Sequence, residues 1–200
     1  EEKVGVVLVG KDVKGLTKEL IAYGADKVYI AEHEMLEDFL PLPYTRAISE
    51  LVGKYKPQMM LFSATPLGRE LAPRVAYRSG SGLTADCTGL DIIDFKRGEQ
   101  ELTAVLRQTR PALGGNIMAA IITQNSKVQM STARPGVMRA SKPDYERTGE
   151  IIEYPIEIGK SDLGATIVST ELLPPTTKLS EAGAIACGGA GCKTKETFDK

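Results

Sequence analysis

The residues best equipped for chemistry lie between Leu102 and Arg139. There Arg110 precedes Pro111, Arg134 precedes Pro135, and between them stands Gly114-Gly115-Asn116. Proline disfavours helix in the residue before it, so both guanidiniums are expected at extended corners. Adjacent glycines let the backbone turn, or approach a flat partner with no side chain in the way. Two readings fit. One is plain turn chemistry. The other is a polar rim that receives an anionic or planar group, with Arg110 and Arg134 as donors, because a guanidinium pairs with phosphate or stacks on a ring.

A second glycine-rich stretch lies near the end of the chain, where Ala184–Cys187 reads as a short strand and Lys195–Lys200 as the start of a helix. Gly188, Gly189 and Gly191 between them give the strand–turn–helix order that cradles phosphates through free amides. The P-loop pattern fails, because Cys187 and Cys192 occupy its glycine positions ahead of Lys193 and Thr194. Those two cysteines, with no second pair or histidine nearby, cannot close a zinc site and are expected to be structural thiols. With Cys87 the cysteines number three, which does not suit a disulfide framework. His33 is the one histidine, so a multi-histidine metal site is excluded. It lies in a polar run after a strand and is expected to be solvated. No Gly-x-Ser-x-Gly elbow accompanies it.

Two further places are geometrically eligible. Ser63 to Arg69 leaves a strand and enters a helix, and open α/β sheets bind ligands at strand C-termini; Ser63 or Thr65 would cap that helix. Asp86, between Thr84 and Thr88, reads as a buried hydrogen-bonded carboxylate or an interface contact.

These residues must be positioned by a chain of 200 residues, 42% hydrophobic and 26% charged, which is ordinary for a globular protein. The net charge of −1 offers no basic field for nucleic acid, and 6% aromatics disfavour a base-stacking platform. No apolar run approaches the ~20 residues of a membrane span, and Glu-Glu-Lys runs directly into a strand without a signal pattern. A cytoplasmic protein is expected.

Apolar runs at Val4–Val9, Lys27–Ala31 and Met59–Phe62 alternate with helical periodicity after Asp12, after Thr45 and over Leu67–Ala76. Strand–helix units in succession predict a mostly parallel sheet in a three-layer α/β sandwich. After Gly82 the rhythm changes to hairpin-type strands: a kinked Leu83–Phe95, then Leu102–Leu106, Ile117–Ile122 and Val128–Ala133. Ser141–Gly149 reads as a loop, and Glu150–Ile158 and Ala165–Leu172 as further strands. The expected organisation is a domain over 1–173, a linker at 174–178 and the opening of a second domain at 179–200.

The runs TRPALGGNIMA and STARPGVM, with the upstream SATPLGRELAPRVAYRSGSGLTADCTGLDI, resemble the first domain of the electron transfer flavoprotein alpha subunit, in the branch of anaerobic bacteria. The resemblance implies a sheet of the adenine nucleotide alpha hydrolase-like kind and a heterodimer with a beta subunit. It also implies FAD in the alpha subunit's second domain and AMP or a second FAD in the beta subunit. Such proteins pass electrons between acyl-CoA or other dehydrogenases and an acceptor, in the anaerobic branch sometimes by bifurcation. The family's FAD domain opens on strand, Gly-Gly-Arg-Gly, helix; Gly188, Gly189 and Gly191 match it, and Ala190 stands in place of the arginine. By the same resemblance this chain is mainly a scaffold and docking domain. The alternative is a stand-alone nucleotide-binding domain of the universal-stress type, whose usual late phosphate loop residues 102–139 do not supply.

Overall fold

The computed structural model describes residues 2–171, 179 and 182–199, so the expected linker at 174–178 lies outside the described residues. Two compact units divide the chain, Glu1–Ala165 and Thr166–Lys200. The first unit holds β1 (Gly5–Gly10), α1 (Thr17–Ala22), β2 (Lys27–Glu32), α2 (Pro41–Tyr55), β3 (Met59–Ser63) and α3 (Pro66–Arg78). It continues with β4 (Leu83–Cys87), β5 (Gly89–Arg97), β6 (Gln100–Ala112), β7 (Ile117–Ile122), β8 (Gln129–Ala133) and β9 (Glu150–Glu153).

The strands form three hydrogen-bonded sets. In β1-β2-β9 and β3-β8-β4 every pairing is parallel; in β5-β6-β7 every pairing is antiparallel. Side chains alternate across a strand, and here the alternation sorts the helices into layers. Val6, Leu8, Val28 and Ile30 pack with Leu20 and Ile21 of α1. Val7 and Val9 face the other way, and with Met60, Phe62 and the fully buried Met130 they meet Ile48 and Val52 of α2 and Leu71 and Val75 of α3. The result is helix, sheet, helices: the three-layer α/β sandwich that the periodicity predicts, extended by the antiparallel β5-β6-β7; β4 and β8 are not the expected hairpin-type strands, because β8 lies parallel between β3 and β4.

Several local readings need correction. The second helix begins at Pro41 and not at Thr45, because prolines are tolerated in a first turn whose N–H groups lack helical partners. Thr45 is instead buried inside α2, where its hydroxyl donates to the Pro41 carbonyl. Asp12 does not cap the first helix: a 3₁₀ turn at Lys14–Leu16 precedes α1, and Glu32 Oε1 accepts the Val13 N–H at 2.7 Å from across the sheet. β9 stops at Glu153, short of Ile158, since Pro155 has no N–H to continue a ladder. Ile156 and Ile158 are still buried against Leu36, Ala47 and Leu51. Residues 165–171 form no strand, and Leu172 lies outside the described residues.

Candidate functional site

β3, β8 and β4 end together, and their C-terminal edge gathers charge. The Ala64 N–H donates to the Ala133 carbonyl at 2.8 Å, and the Arg134 N–H to the Cys87 carbonyl at 2.9 Å. β4 is broken between Thr84 and Cys87 by a register shift, with Asp86 in left-handed backbone at φ 62°. The Asp86 N–H leaves the ladder and donates to Thr132 Oγ1 at 2.8 Å. A bulge of this kind re-aims a side chain. Here it turns the Asp86 carboxylate to the edge, where Arg134 grips it with Nε at 3.0 Å and Nη2 at 2.7 Å. Arg69, from the first turns of α3, reaches the same carboxylate at 3.2 Å while its Nε holds the Ala64 carbonyl at 2.9 Å.

Arg110 comes to this group from β6. The Thr88 N–H donates to the Thr109 carbonyl at 2.8 Å, which sets Arg110 beside the bulge. The hydrogen bond from Arg134, reinforced by the positive charges of Arg134, Arg69 and Arg110, holds the Asp86 carboxyl below its usual value. A carboxylate with a depressed folded-state pKa contributes stability above its unfolded pKa of about 3.9, and that contribution is lost as pH falls through the folded value. Asp86→Asn, which keeps a residue tolerant of left-handed backbone, should therefore lower stability by about 1–2 kcal/mol at neutral pH, discounted for partial exposure. The gap to the wild type should shrink below about pH 4. Urea midpoints measured from pH 7 to pH 2 check this; a gap independent of pH would mean that the charge is not what Asp86 contributes.

Of the residues singled out in the sequence, Arg134 binds the Asp86 carboxylate, while Arg110 lies on the neighbouring β6 with its Nε on the Pro111 carbonyl and no ion pair to Asp86 among the described residues. Asp86 and Arg69 complete this group, a juxtaposition that no local spacing in the sequence announces. Gly114, Gly115 and Asn116 sit elsewhere, exposed at the tip of the β6–β7 hairpin, with Leu113, Gly114 and Gly115 at φ 47°, 73° and 91°. Arg110 is also not at a strand end. β6 runs on through Pro111, which pairs with Met118, to Ala112. Proline is tolerated there because β5 pairing stops at Gly89 opposite Thr109, so beyond that point β6 has a neighbour on one side only.

The other candidates resolve as follows. Thr65, not Ser63, caps α3 by accepting the Gly68 N–H at 3.2 Å. His33 is half-buried rather than fully solvated; its Nδ1 accepts the Met35 N–H at 3.1 Å and caps a short 3₁₀ turn. It borders a shallow depression of about 430 Å³ with Arg46, Asp162 and the 156–159 backbone, and Arg46 is already paired to Glu50 and Asp162. Cys87, Cys187 and Cys192 are free, and burial pushes the Cys87 thiol up, away from thiolate chemistry.

In the second unit Ala184–Cys187 forms no strand, since no neighbouring strand among the described residues offers it a ladder. Gly188, Gly189 and Gly191 are exposed, and the helix that follows, α4 (Lys195–Phe198), has only four residues. A Cβ at Gly188 would meet the Phe198 ring at 2.3 Å, whereas at Gly189 and Gly191 it would meet nothing. A phosphate cradle needs a helix dipole and enclosing backbone. Among the described residues this segment supplies neither, so in this geometry it does not fit a flavin by itself.

The electron transfer flavoprotein domain family matches residues 1–158, which span β1 to β9 and the Asp86 cluster. The chain is similar to the electron transfer flavoprotein subunit alpha of Thermoanaerobacterium thermosaccharolyticum, 43% identical over 197 residues that make up 98% of this chain and 57% of that protein. It is similar to the same subunit of Megasphaera elsdenii, 40% identical over 198 residues, 98% of this chain and 56% of the relative. Subunit LctC of the lactate dehydrogenase (NAD(+),ferredoxin) of Acetobacterium woodii is 36% identical over 196 residues, 98% of this chain and 45% of LctC. The chain thus spans about half the length of the curated relatives it matches. With the family matched over the whole of the described α/β sandwich, this chain belongs to the electron transfer flavoprotein family.

Proposed function

We propose that this chain serves as the N-terminal part of an alpha subunit, a scaffold that docks a beta subunit in a cytoplasmic heterodimer carrying electrons from a dehydrogenase to an acceptor. The observation that carries the reading is the similarity over 98% of the chain to proteins named as alpha subunits. In this reading residues 1–173 are the docking domain, 174–178 a linker and 179–200 the start of the FAD domain. FAD belongs to the full-length subunit, and AMP or a second FAD to the beta subunit. The name of the relative LctC, which cites both NAD(+) and ferredoxin, supports a bifurcating role for the complex. Nothing comparable favours the stand-alone universal-stress reading.

Arg110, Gly114, Gly115, Asn116 and Arg134 are the residues we assign to the face towards the partner and its nucleotide or flavin. Exposed Ile117 and Met118, at 51% and 54%, begin the edge strand β7 beside that turn and give the face an apolar component. Gly188, Gly189 and Gly191 are the residues that would meet FAD once further chain encloses them, with Ala190 supplying no guanidinium.

Two readouts on the purified chain test this. The chain alone should hold well under a tenth of an equivalent of flavin by visible absorbance. On mixing, it should form a one-to-one complex with a beta subunit from a related alpha–beta pair on a sizing column. A stoichiometric yellow complex of the chain alone would overturn the scaffold reading. Failure to bind any such beta subunit would overturn the docking reading.

A further inference from the structure

Two guanidiniums, from Arg69 and Arg134, bind the single Asp86 carboxylate at the C-terminal edge of β3, β8 and β4, and the Thr88–Thr109 backbone bond brings β6 with Arg110 alongside, where its charge adds to theirs. Two positive charges there are left uncompensated. Arg110 has no carboxylate partner among the described residues, and its Nε makes only a long contact of 3.3 Å to the Pro111 carbonyl. Arg69 and Arg134 keep 57% and 42% of their side-chain surface exposed although both touch Asp86. Asp86 is thus an organiser more than a neutraliser: it fixes two planar donors, drawn from α3 and from the end of β8, and leaves their remaining N–H groups outward. The position is where open parallel sheets bind their ligands. Like charges held together on a folded edge repel, and a bound oxyanion relieves that repulsion while using the outward N–H groups bidentately.

We propose that this edge is a binding site for a phosphate monoester or free phosphate, held by Arg69, Arg110 and Arg134 with Asp86 as the positioning residue. Two of its residues, Arg110 and Arg134, are among those that the proposed function assigns to the face towards a beta subunit, so the site lies on that face. It deepens that reading by naming the anionic group this face takes, and it is tested on the chain without a beta subunit, so failure here leaves the docking result unaffected.

The experiment is calorimetric titration of the 200-residue chain with inorganic phosphate and, separately, with ribose 5-phosphate, at low ionic strength and constant pH. Saturable one-to-one binding with a Kd on the order of 1 mM or tighter is expected for at least one of them. Equal affinities identify free phosphate as the ligand; tighter ribose 5-phosphate identifies a monoester. Arg110→Gln should weaken binding at least tenfold while leaving the melting temperature unchanged, because its side chain holds no other element in place. Arg107→Gln serves as the control: Arg107 is paired to Asp91 by a 3.1 Å contact, and its loss should leave phosphate affinity as it was. Absence of saturable binding for both ligands would overturn the proposal. So would equal weakening by Arg110→Gln and Arg107→Gln, the signature of a diffuse charge effect.

Discussion

Gly68→Ala should lower the stability of the chain by about 3 kcal/mol, although it adds one methyl group to a helix. A Cβ at this position would stand 1.8 Å from the Ser63 carbonyl oxygen and 3.0 Å from its carbonyl carbon, and neither can rotate away as a side-chain end would. The contact exists because α3 starts immediately after β3 and folds back across its last residue. Relief requires moving the helix start, which would also stretch the bond from the Gly68 N–H to Thr65 Oγ1 and the Arg69 grip on the Ala64 carbonyl. At roughly 2–4 °C per kcal/mol for a chain of this size, the melting temperature should fall by about 6–12 °C. Gly53→Ala is the matched control. Gly53 lies within α2 with nothing within 4 Å of the added carbon. There alanine should raise stability by about 0.5–1 kcal/mol through helix propensity. Urea denaturation of both variants decides the matter: two changes of the same sign would mean that the approach to Ser63 is not a constraint.

The same region explains why the fold was largely legible in the sequence and the charged cluster was not. β1, β2 and β3 announce themselves by apolar runs, and the helices by 3.6-residue periodicity, because each must bury one face. The kink within Leu83–Phe95 was also readable, and it falls where β4 ends and β5 begins. Three of the misread boundaries share one cause, proline in unequal roles. Pro41 and Pro43 open a helix, Pro111 continues a strand beside an empty position, and Pro155 ends one. Only the presence or absence of a neighbour tells these cases apart. The site depends on neighbours still more. Asp86 and Arg134 are 48 residues apart in sequence, and a parallel register between β4 and β8 makes them partners. Asp86 and the Ser63–Arg69 turn were each visible as candidates, but no local spacing joins them. Gly114-Gly115 carry a genuine local signal, the need for left-handed backbone, and that need is met at a hairpin tip.

Arg110→Lys should weaken the affinity of an assembled alpha–beta complex for its flavin or nucleotide by roughly ten- to hundredfold, while this chain's own melting temperature barely moves. The size follows from losing a charge-assisted hydrogen bond worth about 1.5–3 kcal/mol, because lysine keeps the charge but not the planar fork. The indifference of the fold follows from what Arg110 touches. It shares no ion pair among the described residues, and β6 is held at this point by the pairing of Arg110 with Ala119 through backbone groups that lysine retains. Arg134→Lys makes an instructive contrast. That side chain clamps Asp86 with two donors and ties the bulge of β4 to the end of β8, so its replacement should cost stability as well as affinity. Flavin or nucleotide titration of the complex and thermal melting of the isolated chain, on both variants, separate the roles. If Arg110→Lys shifts the melting temperature and leaves cofactor affinity unchanged, Arg110 serves the hairpin sheet and the assigned partner face is elsewhere.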